Sequence, residues 1–282
     1  MKIQNYIKEN SGQIVLILVL ITVVGLTIGL SLISRTITDV RISTQIEQSG
    51  RAFSAAEAGV ESALKGAVAG GPTGTVTFPG VSASYNVANI GGEVAPLSFP
   101  LTAVGSTQTV WLADHKSDGI DLDENSTYPV GSTFTICWGT DPNKNPALLL
   151  SLYYKDTATN IYKVAKLAYD PIPGRSNFYP KDDNVNSCSN NYRYKKTLSA
   201  TGIPPGDGFG ISSSNTILLA LRIQPVFDDT AIAIVPTASI PVQGKLITSI
   251  GQTATGVVRK IQVTQGYQVL PTLLDFALFS EN

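Results

Sequence analysis

The densest group of side chains able to do chemistry is Asp114, His115, Lys116, Asp118, Asp121, Asp123 and Glu124, set around Gly119. Hard cations such as calcium take several oxygen ligands from a tight loop, and Asp114, Asp118, Asp121 and Asp123 are those a site would draw on. An EF-hand loop, however, needs an oxygen ligand where Lys116 stands and a closing glutamate that is missing here. The group therefore reads as a solvated polar turn leading to Tyr128-Pro129, and no metal is expected. His115 is the only histidine, so a Ser-His-Asp arrangement would depend on it alone. No G-x-S-x-G elbow, P-loop or His/Cys zinc spacing occurs. Neither catalysis nor a cofactor is expected.

Two cysteines, Cys137 and Cys188, lie in the same polar, turn-rich part of the chain. In an oxidising compartment they would close a loop of about fifty residues, which chain entropy values at roughly 4 kcal/mol. Two unpaired small core residues are the other reading. Trp111, Trp138 and 11 tyrosines could stack on sugars or bases, but alternation along the strands assigns most of them to a core. Asn125-Ser126-Thr127 has the form of an N-glycosylation acceptor. The 20 basic and 21 acidic residues leave a net charge of −1, which gives no field for steering polyanions, so no nucleic-acid partner is expected.

The elements that must position these groups begin with a membrane helix. From Gln13 to Ser34 no residue is charged, and Ile14 to Ile33 is interrupted only by Thr22, Gly25, Thr27, Gly29 and Ser31. Twenty residues at about 1.5 Å rise span the ~30 Å hydrocarbon core of a bilayer. The run is too long for a signal peptide, and Arg35, Asp39 and Arg41 follow it where a small-residue cleavage site would stand. Beyond the span, residues 35–66 continue the helix as an amphipathic extension. Ile42, Ile46, Ser49, Phe53, Ala56, Val60 and Leu64 recur at helical spacing, with Glu47, Arg51, Ala58, Glu61 and Lys65 opposite. Gly66, Gly70, Gly71 and Pro72 end it. The stripe is expected to form the inner wall of the adjoining domain, with partner helices sharing its upper part.

Two segments of this helix carry a family likeness. Ser11-Gly12-Gln13-Ile14-Val15-Leu16 ahead of a membrane span resembles the junction cut by prepilin peptidase after a glycine. Arg51-Ala52-Phe53-Ser54-Ala55-Ala56-Glu57-Ala58-Gly59-Val60-Glu61 resembles the Ala-Glu-Ala-Gly-x-Glu signature of PilX-type minor pilins and K-type pseudopilins. The likeness implies that residues 1–12 are a leader removed between Gly12 and Gln13, and that 13–34 form the transmembrane helix. It also implies an N-terminus in the cytoplasm, a domain outside the cytoplasmic membrane, and other pilin subunits as partners through Phe53, Ala56, Glu57, Val60 and Glu61. The positive-inside count itself does not decide, because Lys2 and Lys8 face Arg35, Arg41 and Arg51 across the span. Counting from Gln13, the fifth residue is Ile17, where major pilins carry a glutamate. A neighbour's buried ammonium would find no acceptor there, which suits a minor, priming or tip subunit.

After residue 67 the pattern changes to short alternating strands: Val81–Val87, Thr133–Trp138, Leu148–Tyr154, Ile161–Tyr169, Ile217–Gln224, Ala231–Val235, Lys245–Ile250 and Val257–Thr264. Turn clusters at Asp141-Pro142-Asn143, Asp170–Gly174 and Pro204–Gly208 separate several of them. The fold class expected is α+β, with a long N-terminal helix and a mainly antiparallel β domain. Lys245–Gly251 with Thr255–Val263, and the closing Leu270–Ser280, are similar to the strand pair and terminal motif of many minor pilins. That likeness implies a pilin-like sheet from 75–106 and 239–282, with a β-sandwich inserted at 107–238. The expected role is assembly of a type IV pilus-like filament. The alternative is a permanently anchored surface adhesin whose β domain recognises carbohydrate, DNA or a host surface.

Overall fold

The computed structural model describes residues 11–66, 72–182, 188, 192–204 and 206–272, so most of the expected leader and the closing residues 273–282 lie outside the described part. Among the described residues one helix, α1 (Ser11–Gly66, 56 residues), comes first, and strands follow it. Its apolar window, from Ile14, is long and apolar enough to cross a membrane, and none of that window is buried in the protein. The hydroxyls of Thr22 and Thr27 donate to the carbonyls of Val19 and Val24, both at 2.8 Å, so neither needs an outside partner in an apolar medium.

The strands are β1 (Thr73–Phe78), β2 (Val81–Gly91), β3 (Leu97–Thr102), β4 (Gln108–Trp111), β5 (Ala113–His115), β6 (Leu122–Thr127), β7 (Thr133–Trp138) and β8 (Ala147–Asp156). After them come β9 (Ile161–Asp170), β10 (Tyr179–Pro180), β11 (Tyr194–Ser199), β12 (Thr216–Val226), β13 (Thr230–Pro236), β14 (Val242–Thr253) and β15 (Val258–Gly266). They form a four-stranded sheet β1-β2-β14-β15, a five-stranded sheet β10-β9-β8-β12-β4, a four-stranded sheet β11-β7-β13-β3, and the hairpin β5-β6. Pairing is mostly antiparallel, and β10 runs parallel to β9. The α+β class is therefore the observed one.

The chain divides into two compact units. The first comprises residues up to Val87 together with Ile247–Val263, and the second runs from Ala88 to Leu246 and resumes at Thr264. In the first, Val60 and Ala63 of the helix pack with Ile247, Tyr85, Val87, Ile261 and Val263. In the second, the five- and four-stranded sheets share one core. Leu148, Leu150 and Leu152 of β8 and Leu221 and Ile223 of β12 meet Phe134, Ile136 and Trp138 of β7 and Ile232 and Ile234 of β13. β12, between β8 and β4, is buried on both faces, which is why it reads as a nearly unbroken apolar run rather than an alternating one.

The expected boundary between sheet and insert shifts. Leu97–Thr102 falls inside the expected 75–106 piece, yet it pairs with β13 and belongs to the second unit. Its short Leu-Ser-Phe-Pro-Leu-Thr run has a proline at Pro100, and an edge position is where a strand tolerates the lost N–H.

Candidate interaction surfaces and the Trp111–His115–Tyr267 cluster

The helix seats itself through its smallest residues. Ala52, Ala55, Ala56, Gly59, Val60 and Ala63 are buried, whereas Phe53 is 47% exposed, Ile46 67%, Ile42 50% and Leu64 37%. Of the residues expected to face partner subunits, Ala56 and Val60 are buried, and Phe53, Glu57 and Glu61 are exposed. The buried face is thus turned by roughly 70° from the expected stripe, taking 100° per residue. The cause is backbone proximity. A Cβ on Gly251 of β14 would overlap the carbonyl oxygen of Ala52 and stand 2.8 Å from the nitrogen of Ala56. A Cβ on Gly59 would overlap Ser249 Oγ and stand 3.3 Å from the Cβ of Ala83. Strand and helix approach where neither carries bulk, so the large apolar residues fall to one side. The Ala-Ala-Glu-Ala-Gly run, residues 55–59, supplies that face, and its one glutamate, Glu57, is exposed. Three polar ties hold the same unit: Arg259 Nε donates to Ser49 Oγ at 2.8 Å, Arg51 to the Pro79 carbonyl at 2.9 Å, and Thr255 bonds Gln48 at 3.3 Å.

The expected cleavage junction, Gly12–Gln13, falls on the first turn of α1. A Cβ added to Gly25 or Gly29 would meet nothing within 4 Å beyond the adjoining helix backbone, so their faces are open along the apolar window.

In the second unit the acidic group forms the turn and adjoining strands of the β5–β6 hairpin. Asp118 accepts the N–H groups of Ile120 and Asp121 at 2.9 and 3.0 Å, which close the β5–β6 turn and hold its carboxyl below the usual range. Asp114 accepts from the Ser126 hydroxyl and from the Val242 N–H, and Asp123 accepts from Asn125. Asp121 pairs with Lys116 at 3.6 Å across an exposed edge. Among the described residues no three His, Cys, Asp or Glu side chains converge as a metal site would require. Glu124 is bonded by Lys155 at 2.6 Å and by the Tyr162 hydroxyl at 2.8 Å, which lower its pKa in that order. Lys116, Asp121, Asp123, Asn125 and Tyr162 line a polar cleft, and Tyr162 is 64% exposed there.

His115 sits between two rings. Tyr267 stacks on it at 3.6 Å and 12°, and Trp111 meets it edge-on at 4.6 Å and 86°. Its Nδ1 is buried with no hydrogen-bond partner, and burial lowers its pKa against the raising fields of Asp114 and Asp118. Gln243 completes the cluster: it accepts the Trp111 N–H at 2.8 Å and donates to the Trp111 carbonyl at 2.9 Å, extending β4 by a side-chain rung. Burial of His115 between the two rings thus favours its neutral form. A depressed folded pKa contributes stability that is complete above the ordinary value of 6.5 and is lost as pH falls through the folded value. Urea midpoints taken from pH 7.5 down to 5 should therefore fall more steeply for the native chain than for His115→Phe, which keeps a ring but cannot titrate. Equal slopes would refute the assignment.

At the loop end of the sandwich, Cys137 is disulfide-bonded to Cys188, with their Cα atoms 6.2 Å apart. Asp170, 4% exposed, receives two N–H groups of Arg175 at 2.7 and 3.0 Å, the Ser176 hydroxyl at 2.7 Å and the Ile172 N–H at 2.9 Å. The Arg175 guanidinium lies 4.2 Å over the ring of Phe227, whose φ of 73° is a left-handed value rare for an aromatic residue. Trp138 is fully buried and donates to the Pro146 carbonyl at 2.9 Å, so it is core and not a platform.

No family model matches the chain, and neither a curated protein nor a solved structure does.

Proposed function

We propose that this chain is a membrane-anchored minor pilin or pseudopilin that takes part in assembling a type IV pilus-like filament, as a priming or tip subunit and not as an enzyme. The observation that carries the reading is the single 56-residue helix, bare along its apolar half and seated on a sheet through small residues along its outer half. A bare apolar half stores the subunit in the cytoplasmic membrane. Prepilin peptidase then removes the leader after Gly12, and the helix enters a filament beside other pilin helices through faces that the sheet leaves uncovered, Phe53, Glu57 and Glu61 among them. Open glycines at Gly25 and Gly29 suit close approach of a second helix. In this reading the four-stranded sheet is the pilin-like part and the two-sheet unit is the insert, outside the cytoplasm.

The test is the N-terminus of the membrane-extracted protein, measured by mass spectrometry with and without the host's prepilin peptidase. A peptidase-dependent start at Gln13 is expected. An intact Met1 in both preparations would overturn the assembly role. It would favour the second reading, a permanently anchored adhesin, for which the exposed and strained Phe227 at the sandwich tip is the supporting observation.

A further inference from the structure

We infer that Asn125 is a glycosylation site, whose side-chain amide accepts an oligosaccharide from a lipid-phosphate-linked donor outside the cytoplasm. The inference rests on the proposed placement of the β domain beyond the membrane. Asn125-Ser126-Thr127 is the only Asn-x-Ser/Thr triplet (x not Pro) in the 282 residues. Its place in the fold suits the chemistry. The β5–β6 ladder pairs Ala113 with Thr127 and then Asp114 with Asp123, so Glu124, Asn125 and Ser126 are looped out opposite a single step of β5. Asn125 is exposed, so a transferase can reach it without opening a core. Asp123 accepts both the main-chain N–H of Asn125 at 3.0 Å and its Nδ2–H at 3.1 Å, which pins the amide at the surface beside a carboxylate.

In the transfer, Nδ2 of Asn125 forms a bond to the anomeric carbon of the donor. The carbon–oxygen bond to the phosphate breaks, and its electron pair leaves with the lipid phosphate. The proton from Nδ2 passes to a basic group of the transferase, and nothing is oxidised or reduced. The sugar so attached would begin at the polar cleft that Asn125 lines with Glu124 and the exposed Tyr162, where an aromatic ring can carry its apolar face.

The experiment is peptide mass spectrometry on the full chain purified from membranes of its native cells. Trypsin releases Ser117–Lys144 as one peptide, which holds both Asn125 and Cys137. A hexose- or hexosamine-containing mass on this peptide is expected, absent in Asn125→Gln and Thr127→Val and retained in Thr127→Ser. A mass that persists in Asn125→Gln would overturn the inference. So would an unmodified native peptide, and Cys137 then separates the two ideas. Disulfide-linked Cys137 would show that the domain reaches an oxidising compartment, so only the glycosylation fails. A free Cys137 thiol would count against the extracytoplasmic placement as well.

Discussion

Gly251→Ala is expected to cost about 3 kcal/mol of stability, the upper part of the range for added bulk in a packed interior. The added methyl has nowhere to go. It would meet the Ala52 carbonyl, the Ala56 nitrogen and the Ala52 carbonyl carbon, all backbone of a helix already fixed in place, so no side chain can swing aside to relieve it. Either the strand lifts from the helix, uncovering Ala52, Ala55 and Ala56, or the helix bends. Denaturant unfolding of the detergent-solubilised chain, followed by loss of protease protection around residues 52–63, measures this directly. Gly50→Ala is the matched control. It lies on the same helix with nothing within 4 Å, and it should gain up to about 1 kcal/mol from helix propensity alone. A neutral Gly251→Ala would mean that the helix is not seated as described.

Removing Arg175 is expected to cost about 3–5 kcal/mol, because it strands a buried carboxylate rather than merely deleting a pair. Burial by itself would raise the pKa of Asp170, but Arg175, the Ile172 N–H and Ser176 together outweigh it and hold the group below its ordinary 3.8. The sign follows from linkage. The unfolded state takes up a proton first as pH falls, so the contribution is complete above the unfolded pKa and disappears through the folded one. Thermal unfolding at pH 7 should show a large drop in Tm for Arg175→Ala, and the gap from the native chain should narrow below about pH 4. A gap that stays constant to pH 2.5 would show that packing of Arg175 on Phe227, not its charge, carries the effect. Arg175→Lys should recover only part of the loss, since an ammonium cannot offer Asp170 the same two-pronged contact.

How much of this was legible beforehand depended on whether the signal was local. Strands with strict alternation, such as Leu148–Tyr154, and the continuous run Ile217–Gln224 are visible because burial of one or both faces is written into neighbouring residues. The membrane window is legible for the same reason. Thr73–Phe78, Gln108–Trp111, Leu122–Thr127 and Tyr194–Ser199 were not, because they are short and polar and their partners are remote; β11, for instance, is held by β7 some sixty residues earlier. The buried helix face departs from the apolar stripe because periodicity ranks residues by hydrophobicity. Contact there is set by size, and a partner glycine almost two hundred residues away decides it. Nothing in the spacing joined Trp111 to Gln243, 132 positions apart, or His115 to Tyr267. By contrast, the aspartates flanking Gly119 were visible as a turn, since Asp118 bonds only two and three residues ahead.

The stretch between Gly92 and Ile240 begins and ends at one place. The Gly92 N–H donates to the Ile240 carbonyl at 2.8 Å, and Gly91, at φ 81°, leaves no room for a side chain beside the Pro241 carbonyl. A loop whose ends already touch can be lengthened, shortened or replaced with little demand on the strands that lead into and out of it. A two- or three-residue turn would bridge the same gap. The neck itself would accept such a change, but Gln243 and Tyr267 beyond it rest on Trp111 and His115, so any replacement would have to supply partners for both.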